Sequence, residues 1–223
     1  MARTHVRQSL TRLVASAGLG LGLVAAHPAP ALAASIALDV TSATAAVECN
    51  PTTNPGCSVG WAFQVNSPIA VESLGFFDLN FDGLVESHDV GIFDSNGALI
   101  ASATITNGST PVASAASFGH WLFEDIDNVT LQPGQYTIGA FVTDLSADRI
   151  VSNAVIATMP QITYLGGRAN FDESSLHDPV NGPFDGFEPS LFGPTFTARA
   201  VPEPSTLLLV GAGALALLRR RRA

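Results

Sequence analysis

The chain has 223 residues and a formal net charge of −9, from 19 acidic and 10 basic residues. All ten basic residues are Arg and seven lie in the terminal segments, so residues 34–200 carry 18 Asp or Glu against Arg149, Arg168 and Arg199, a formal −15. Such a surface repels phosphate backbones and anionic headgroups, which argues against nucleic acid as a partner.

In chain order, the first segment reads as a secretory signal peptide. Arg3, Arg7 and Arg12 precede an apolar, small-residue run from Leu13 to Ala26, and Ala31-Leu32-Ala33 places small residues where a signal peptidase needs them. Cleavage is expected after Ala33, making residues 1–33 a leader. Residues 34–59 read as an N-terminal extension holding the only two cysteines, Cys49 and Cys57, around "NPTTNPG". In an exported chain these are expected to form a disulfide that staples this edge, contributing about 2–3 kcal/mol for so short a loop.

From residue 60 to 200, short apolar stretches alternate with turn residues every 8–12 positions, the pattern of a β-sandwich. "GWAFQV" and "IAVESLGFF" flank Asn66-Ser67-Pro68. "DVGIFD" and "ALIASATIT" flank Ser95-Asn96-Gly97, a hairpin signal. "NVTL" and "QYTIGAFVT" flank Gln132-Pro133-Gly134, and "AVIAT", "ITYL" and "PTFTARA" follow. No sustained 3.6-residue period occurs, so long helices are not expected. The predicted fold is a single all-β domain, a jelly-roll-like β-sandwich. Residues 171–193, rich in Phe, Pro, Gly and acid, read as a long loop whose phenylalanines pack back on the sandwich as a lid.

One stretch, "DLNFDGLVESHD" at 78–89, has the spacing of a calcium loop. Asp78, Asn80, Asp82 and Asp89 stand at positions 1, 3, 5 and 12, with Gly83 at position 6. Its flanks are strand-like, which rejects an EF-hand or dockerin. Two readings stay open: an inter-strand loop holding calcium, and a polar turn in which these side chains are merely solvated.

Catalytic signatures are missing: there is no G-x-S-x-G elbow, HExxH, Walker loop or G-x-G-x-x-G. His88, His120 and His177 lack zinc spacing, with His88 expected at a strand end and His120 beside a packed Trp121. Trp61, Trp121, Tyr136 and Tyr164 have the chemistry of a sugar-stacking platform, but three of them sit in strand alternation that favours the core. The chain is expected not to be an enzyme.

The C-terminus, "VPEPSTLLLVGAGALALLRRRRA", has three parts. Two prolines in Val201-Pro202-Glu203-Pro204 break any strand or helix. Residues 206–218 are uncharged and almost wholly apolar; as a helix they reach roughly 20 Å against a hydrocarbon core of ~30 Å. Arg219, Arg220, Arg221 and Arg222 then form a basic stop on the cytoplasmic side. In this order the parts resemble a PEP-CTERM sorting signal over residues 201–223. "GWAFQV", "SLGFFD", "DGLVESHDVGIFD", "LQPGQYTIGAF" and "ITYLGG" resemble an uncharacterised β-sandwich module that such proteins carry. The resemblance implies removal of the leader by signal peptidase, recognition of Pro202, Glu203 and Pro204 by exosortase with processing near that motif, and a membrane-anchored precursor in a Gram-negative-type bacterium. It further implies a final place at the cell surface or in a matrix of exopolysaccharide and biofilm. The resulting expectation is a non-catalytic structural or adhesive protein; a carbohydrate-binding module and a polysaccharide-active enzyme are the alternatives.

Overall fold

The computed structural model describes residues 33–49, 56–143, 148–183, 190 and 192–201. The leader up to residue 32, the loop 50–55 between the cysteines, the Pro-Glu-Pro motif, the apolar run and the Arg tail lie outside the described residues.

The described chain is all strand and connection. In order come β1 (Ser35–Ile36), β2 (Leu38–Val47), β3 (Gly56–Val65), β4 (Ile69–Leu79), β5 (His88–Asp94) and β6 (Leu99–Ile105). The second half supplies β7 (Thr110–Ala113), β8 (Gly119–Leu131), β9 (Gly134–Thr143), β10 (Ile150–Thr158), β11 (Ile162–Glu173) and β12 (Pro194–Ala200). One five-stranded sheet has the order β1-β12-β4-β8-β7 and the other β11-β3-β9-β5-β6, with β10-β2 as a separate pair. Every pairing is antiparallel.

Aromatic residues join the two sheets. Trp61 and Phe63 of β3 meet Phe196 of β12 at ring-centroid distances of 6.0 and 5.2 Å, and the Trp61 indole N–H donates to the Pro194 carbonyl at 2.8 Å. Phe76, Phe77 and Trp121 extend this core from the β4–β8 side, all buried. Trp121 finds its own acceptor in the Asp39 carboxylate at 2.7 Å, as a buried indole N–H must.

The N-terminal segment is more than an extension. Its β1 pairs with β12, the chain turns at Ala37, and β2 then pairs with β10. The alternation in "ASIALDVTSATAAV" is diluted by alanine, serine and threonine, so the strand has little periodic signal until β10 is beside it. The expected staple is present: Cys49 and Cys57 form a disulfide, with both residues buried.

The stretch after β11 is a strap, residues 174–183, lying on the outer face of the β11–β6 sheet. The His177 amide donates to Ser58 Oγ at 2.8 Å, the Pro179 ring rests on Gly139, and Leu176 rests on Gly91. A Cβ at Gly139 would lie 2.8 Å from the Pro179 ring, so only glycine admits the strap here. With the core on one side and the strap on the other, nine of the ten β3 residues are buried, and the strand does not alternate. The lid expectation holds for Phe192, which is fully buried; Phe171 instead points outward and is 52 % exposed, because β11 continues through it as a strand.

Candidate functional site

The 78–89 segment is the connection between β4 and β5, and it is pinned at both ends. At its start the buried Asp78 carboxylate accepts the Gly83 amide at 3.2 Å and faces His120 Nε2 at 3.2 Å. Burial pushes the Asp78 carboxyl above its usual range, against the opposing pull of His120 and the Gly83 amide. Asn80 and Phe81 both have left-handed backbones, with φ of 73° and 62°. Asparagine tolerates this region, whereas a bulky Phe there costs on the order of 1–3 kcal/mol. The strained turn holds the Phe81 ring in the open, 52 % exposed and 5.3 Å from the His120 ring. Both rings line a cavity of about 340 Å³ with Pro111, Val112 and Ala113 of β7.

Asp148 holds the far end of the connection. Its carboxylate accepts the Val85 amide at 3.0 Å and the Glu86 amide at 3.2 Å. It also pairs with His88 Nε2 at 2.9 Å. His88 is fully buried, its Nδ1 lies 3.1 Å from the Phe141 carbonyl, and Phe76 stacks on its ring at 4.0 Å. Both ring nitrogens face oxygen atoms, the Phe141 carbonyl and Asp148 Oδ2, so the ring is held from both sides. Burial alone would raise the Asp148 carboxyl, but the bonds from His88, Val85 and Glu86 outweigh it and hold the carboxyl below its usual range. The Glu86 carboxylate finishes the clamp by accepting the Thr143 amide and hydroxyl at 3.0 and 2.8 Å. Sixty residues separate His88 from Asp148, so no local motif announces the pair.

These contacts decide where the four calcium-spaced residues go. Asp78 is spent on Gly83 and His120, while Asn80 and Asp82 are exposed at the turn. Asp89 belongs to β5 rather than to the loop, and its carboxylate accepts the Thr104 hydroxyl of β6 at 2.6 Å. Among the described residues no group of three or more His, Cys, Asp or Glu is arranged to hold a metal ion. Calcium needs six to eight converging oxygens. Calorimetric titration of the protein with calcium is therefore expected to give no saturable heat; a saturable exotherm lost in Asp82→Ala would reverse this.

The aromatic platform is not assembled from the expected residues. Trp61 and Trp121 are completely buried. Tyr136 stacks on Phe63 at 5.8 Å and donates its hydroxyl to the Gln132 carbonyl, and Tyr164 packs between Trp61 and Phe192 at 6.3 and 5.7 Å. The exposed aromatic that sequence reasoning passed over is Phe81. It sits inside the apparent calcium loop, and only its left-handed backbone reveals that it is held outward.

The sandwich ends at a defined point. Ala200 pairs with Ile69 as the last residue of β12, and the Val201 amide donates to the Pro68 carbonyl at 3.0 Å. A protein-family profile described as the PEP-CTERM protein-sorting motif matches residues 200–222. The chain thus carries the signal of an exported bacterial protein that exosortase sorts through a membrane-anchored stage. No curated protein sequence matches the chain.

Proposed function

We propose that this is a non-catalytic, exported β-sandwich protein that serves as a structural or adhesive component of the bacterial surface or extracellular matrix, in contact with exopolysaccharide. The carrying observation is the junction: β12 ends at Ala200, and the sorting motif begins at residue 200. The whole sandwich therefore lies on one side of the processing signal, as cargo whose fold loses nothing when the tail is handled by exosortase. The strand orders β1-β12-β4-β8 and β3-β9-β5-β6 favour reading the cargo as a jelly roll, with β10 and β11 inserted before its last strand.

A non-catalytic role is supported by how the histidines are used. His88 is locked between Asp148 and the Phe141 carbonyl, His120 is held by Asp78, and His177 turns back on Ser175 and Glu173. In each of these contacts the ring nitrogen meets a carboxylate or a backbone carbonyl, not a hydroxyl or thiol to be activated. Changing Pro202, Glu203 and Pro204 together to alanine is expected to leave a full-length precursor in the membrane fraction, with the sandwich folded. Release of the variant at the wild-type rate to the same final location would overturn the proposal.

A further inference from the structure

At the end of the sandwich where β12 stops, the connections carry no ionisable side chain. The chain turns there through Asn66-Ser67-Pro68, Ser95-Asn96-Gly97-Ala98, Gln132-Pro133 and Met159-Pro160-Gln161. Strand register puts all four at one end: Ile69 pairs with Leu131 and Ala200, Val65 with Gly134 and Ile162, and Asp94 with Tyr136. The charges nearest to them are engaged or set to one side. Arg199 pairs with Glu72, the Asp94 carboxylate accepts the Asn96 and Ala98 amides at 2.8 and 3.0 Å, and Asp178 sits beside Gly97 on the outer face of the β11–β6 sheet. The opposite end is acidic: Glu48, Asp82, Glu86, Asp148 and Glu173 stand in or next to its connections.

The chain also leaves the sandwich at the uncharged end, and it leaves tightly. Ala200 pairs with Ile69, and the Val201 amide donates to the Pro68 carbonyl at 3.0 Å, inside the β3–β4 turn itself. Ser35 pairs with Ala198, so the chain enters the sandwich beside the place where it leaves. Only residues 202–205 separate the Val201 bond from the apolar run that starts at Thr206. Four residues reach at most about 14 Å, whatever their conformation. While the sorting tail holds the protein at the membrane, this end is therefore kept within roughly two Debye lengths of the headgroups at physiological salt. Anionic headgroups push an acidic surface away at that range, and an uncharged one is not pushed.

We propose that the uncharged end is a membrane-facing surface, resting on the lipid headgroups during the anchored stage with the acidic end directed away. The primary amides of Asn66, Asn96, Gln132 and Gln161 bring donors and acceptors to a headgroup layer without bringing charge. Pro133 and Pro160 are exposed beside them. A protein partner on this end would have to displace the bilayer to which a four-residue tether holds it. The proposal rests on the sorting signal and not on the adhesive role.

The test uses the full-length protein in vesicles of phosphatidylethanolamine and phosphatidylglycerol that contain a headgroup spin-labelled lipid. Cys49 and Cys57 are joined to each other, so one added cysteine takes a fluorophore alone. Labels are placed at Gln132→Cys, on the uncharged end, and at Ser117→Cys, in the β7–β8 connection of the opposite end. In protein that floats with the vesicles, the label at 132 is expected to be quenched and the label at 117 to keep its emission. Adding Asn66→Asp and Gln161→Glu should restore emission at 132 on these anionic vesicles but not on neutral phosphatidylcholine vesicles, with an unchanged Tm showing that the fold is kept. Equal quenching at the two positions, quenching at neither, or quenching at 132 that the added acids leave untouched would each overturn the proposal, the last because the tether alone would then hold the end there. None of these outcomes touches the sorting role, which is read from cell fractionation.

Discussion

Trp61→Ala is expected to lower the unfolding free energy by about 3–5 kcal/mol, the range for removing a large buried aromatic. The indole is completely buried and touches Phe63, Tyr164 and Phe196 at ring distances of 5.1, 6.3 and 6.0 Å. It also bonds the Pro194 carbonyl, which truncation leaves unsatisfied inside the core. The partners come from both sheets, so neither can close the void by itself. A domain has only about 5–15 kcal/mol in hand, and the loss takes a large part of it. Urea denaturation followed by circular dichroism provides the measurement; a cost under about 1 kcal/mol would mean that Trp61 is not the keystone between the sheets. The same experiment bears on carbohydrate recognition, since a Trp61→Ala variant that loses glycan binding by unfolding says nothing about stacking on a sugar.

The second large effect belongs to the buried His88–Asp148 pair. Asp148→Ala is expected to cost about 3–5 kcal/mol, because it leaves His88 Nε2 without a partner in a site closed to water. It also frees the Val85 and Glu86 amides, so hydrogen exchange in residues 83–87 should accelerate beyond that elsewhere in the sandwich. Replacing both partners, as His88→Leu with Asp148→Leu, should cost less than the single change, because no polar group is then left stranded. A single change as harmless as the double one would refute the account. The pH dependence has a definite sign. The folded Asp148 carboxyl lies below its unfolded value, so its contribution is fully present above the ordinary carboxylate range. It is lost as the pH falls through the lowered folded value, so acid, and not neutral pH, should loosen the Asp148 end of the 78–89 connection.

Most of the strand positions were legible from β3 onward, and the reason is visible in particular residues. "SNG" at 95–97 makes the β5–β6 turn, with Gly97 at φ 78° and the Asp94 carboxylate capping Asn96 and Ala98, all of it local chemistry. "QPG" separates β8 from β9 in the same way. Elements with little local pattern of their own were less legible. The edge strand β7 contains Pro111 and has no apolar alternation, and β2 owes its existence to β10 more than a hundred residues later. Phe171 and Phe192 lie in one compositional stretch, residues 171–193, yet Phe192 is buried and Phe171 is not, because burial depends on which sheet face the chain crosses.

The loop at 78–89 marks the same division at the level of the site. Its spacing of Asp78, Asn80, Asp82 and Asp89 is a property of the chain, but whether those oxygens converge depends on partners outside it. Gly83, His120 and Thr104 supply those partners, and Asp89 leaves the loop because it continues into β5. Sequence by itself determined that this is an exported protein sorted by exosortase, since the PEP-CTERM motif at residues 200–222 is a linear signal found without any tertiary contact. It also determined the disulfide pairing, there being only two cysteines to join. Only the tertiary structure decided that His88 meets Asp148 and that Phe81 stands outward beside His120. Each of these is a contact between residues far apart in the chain, and such contacts are set by strand order and packing, which no local pattern encodes.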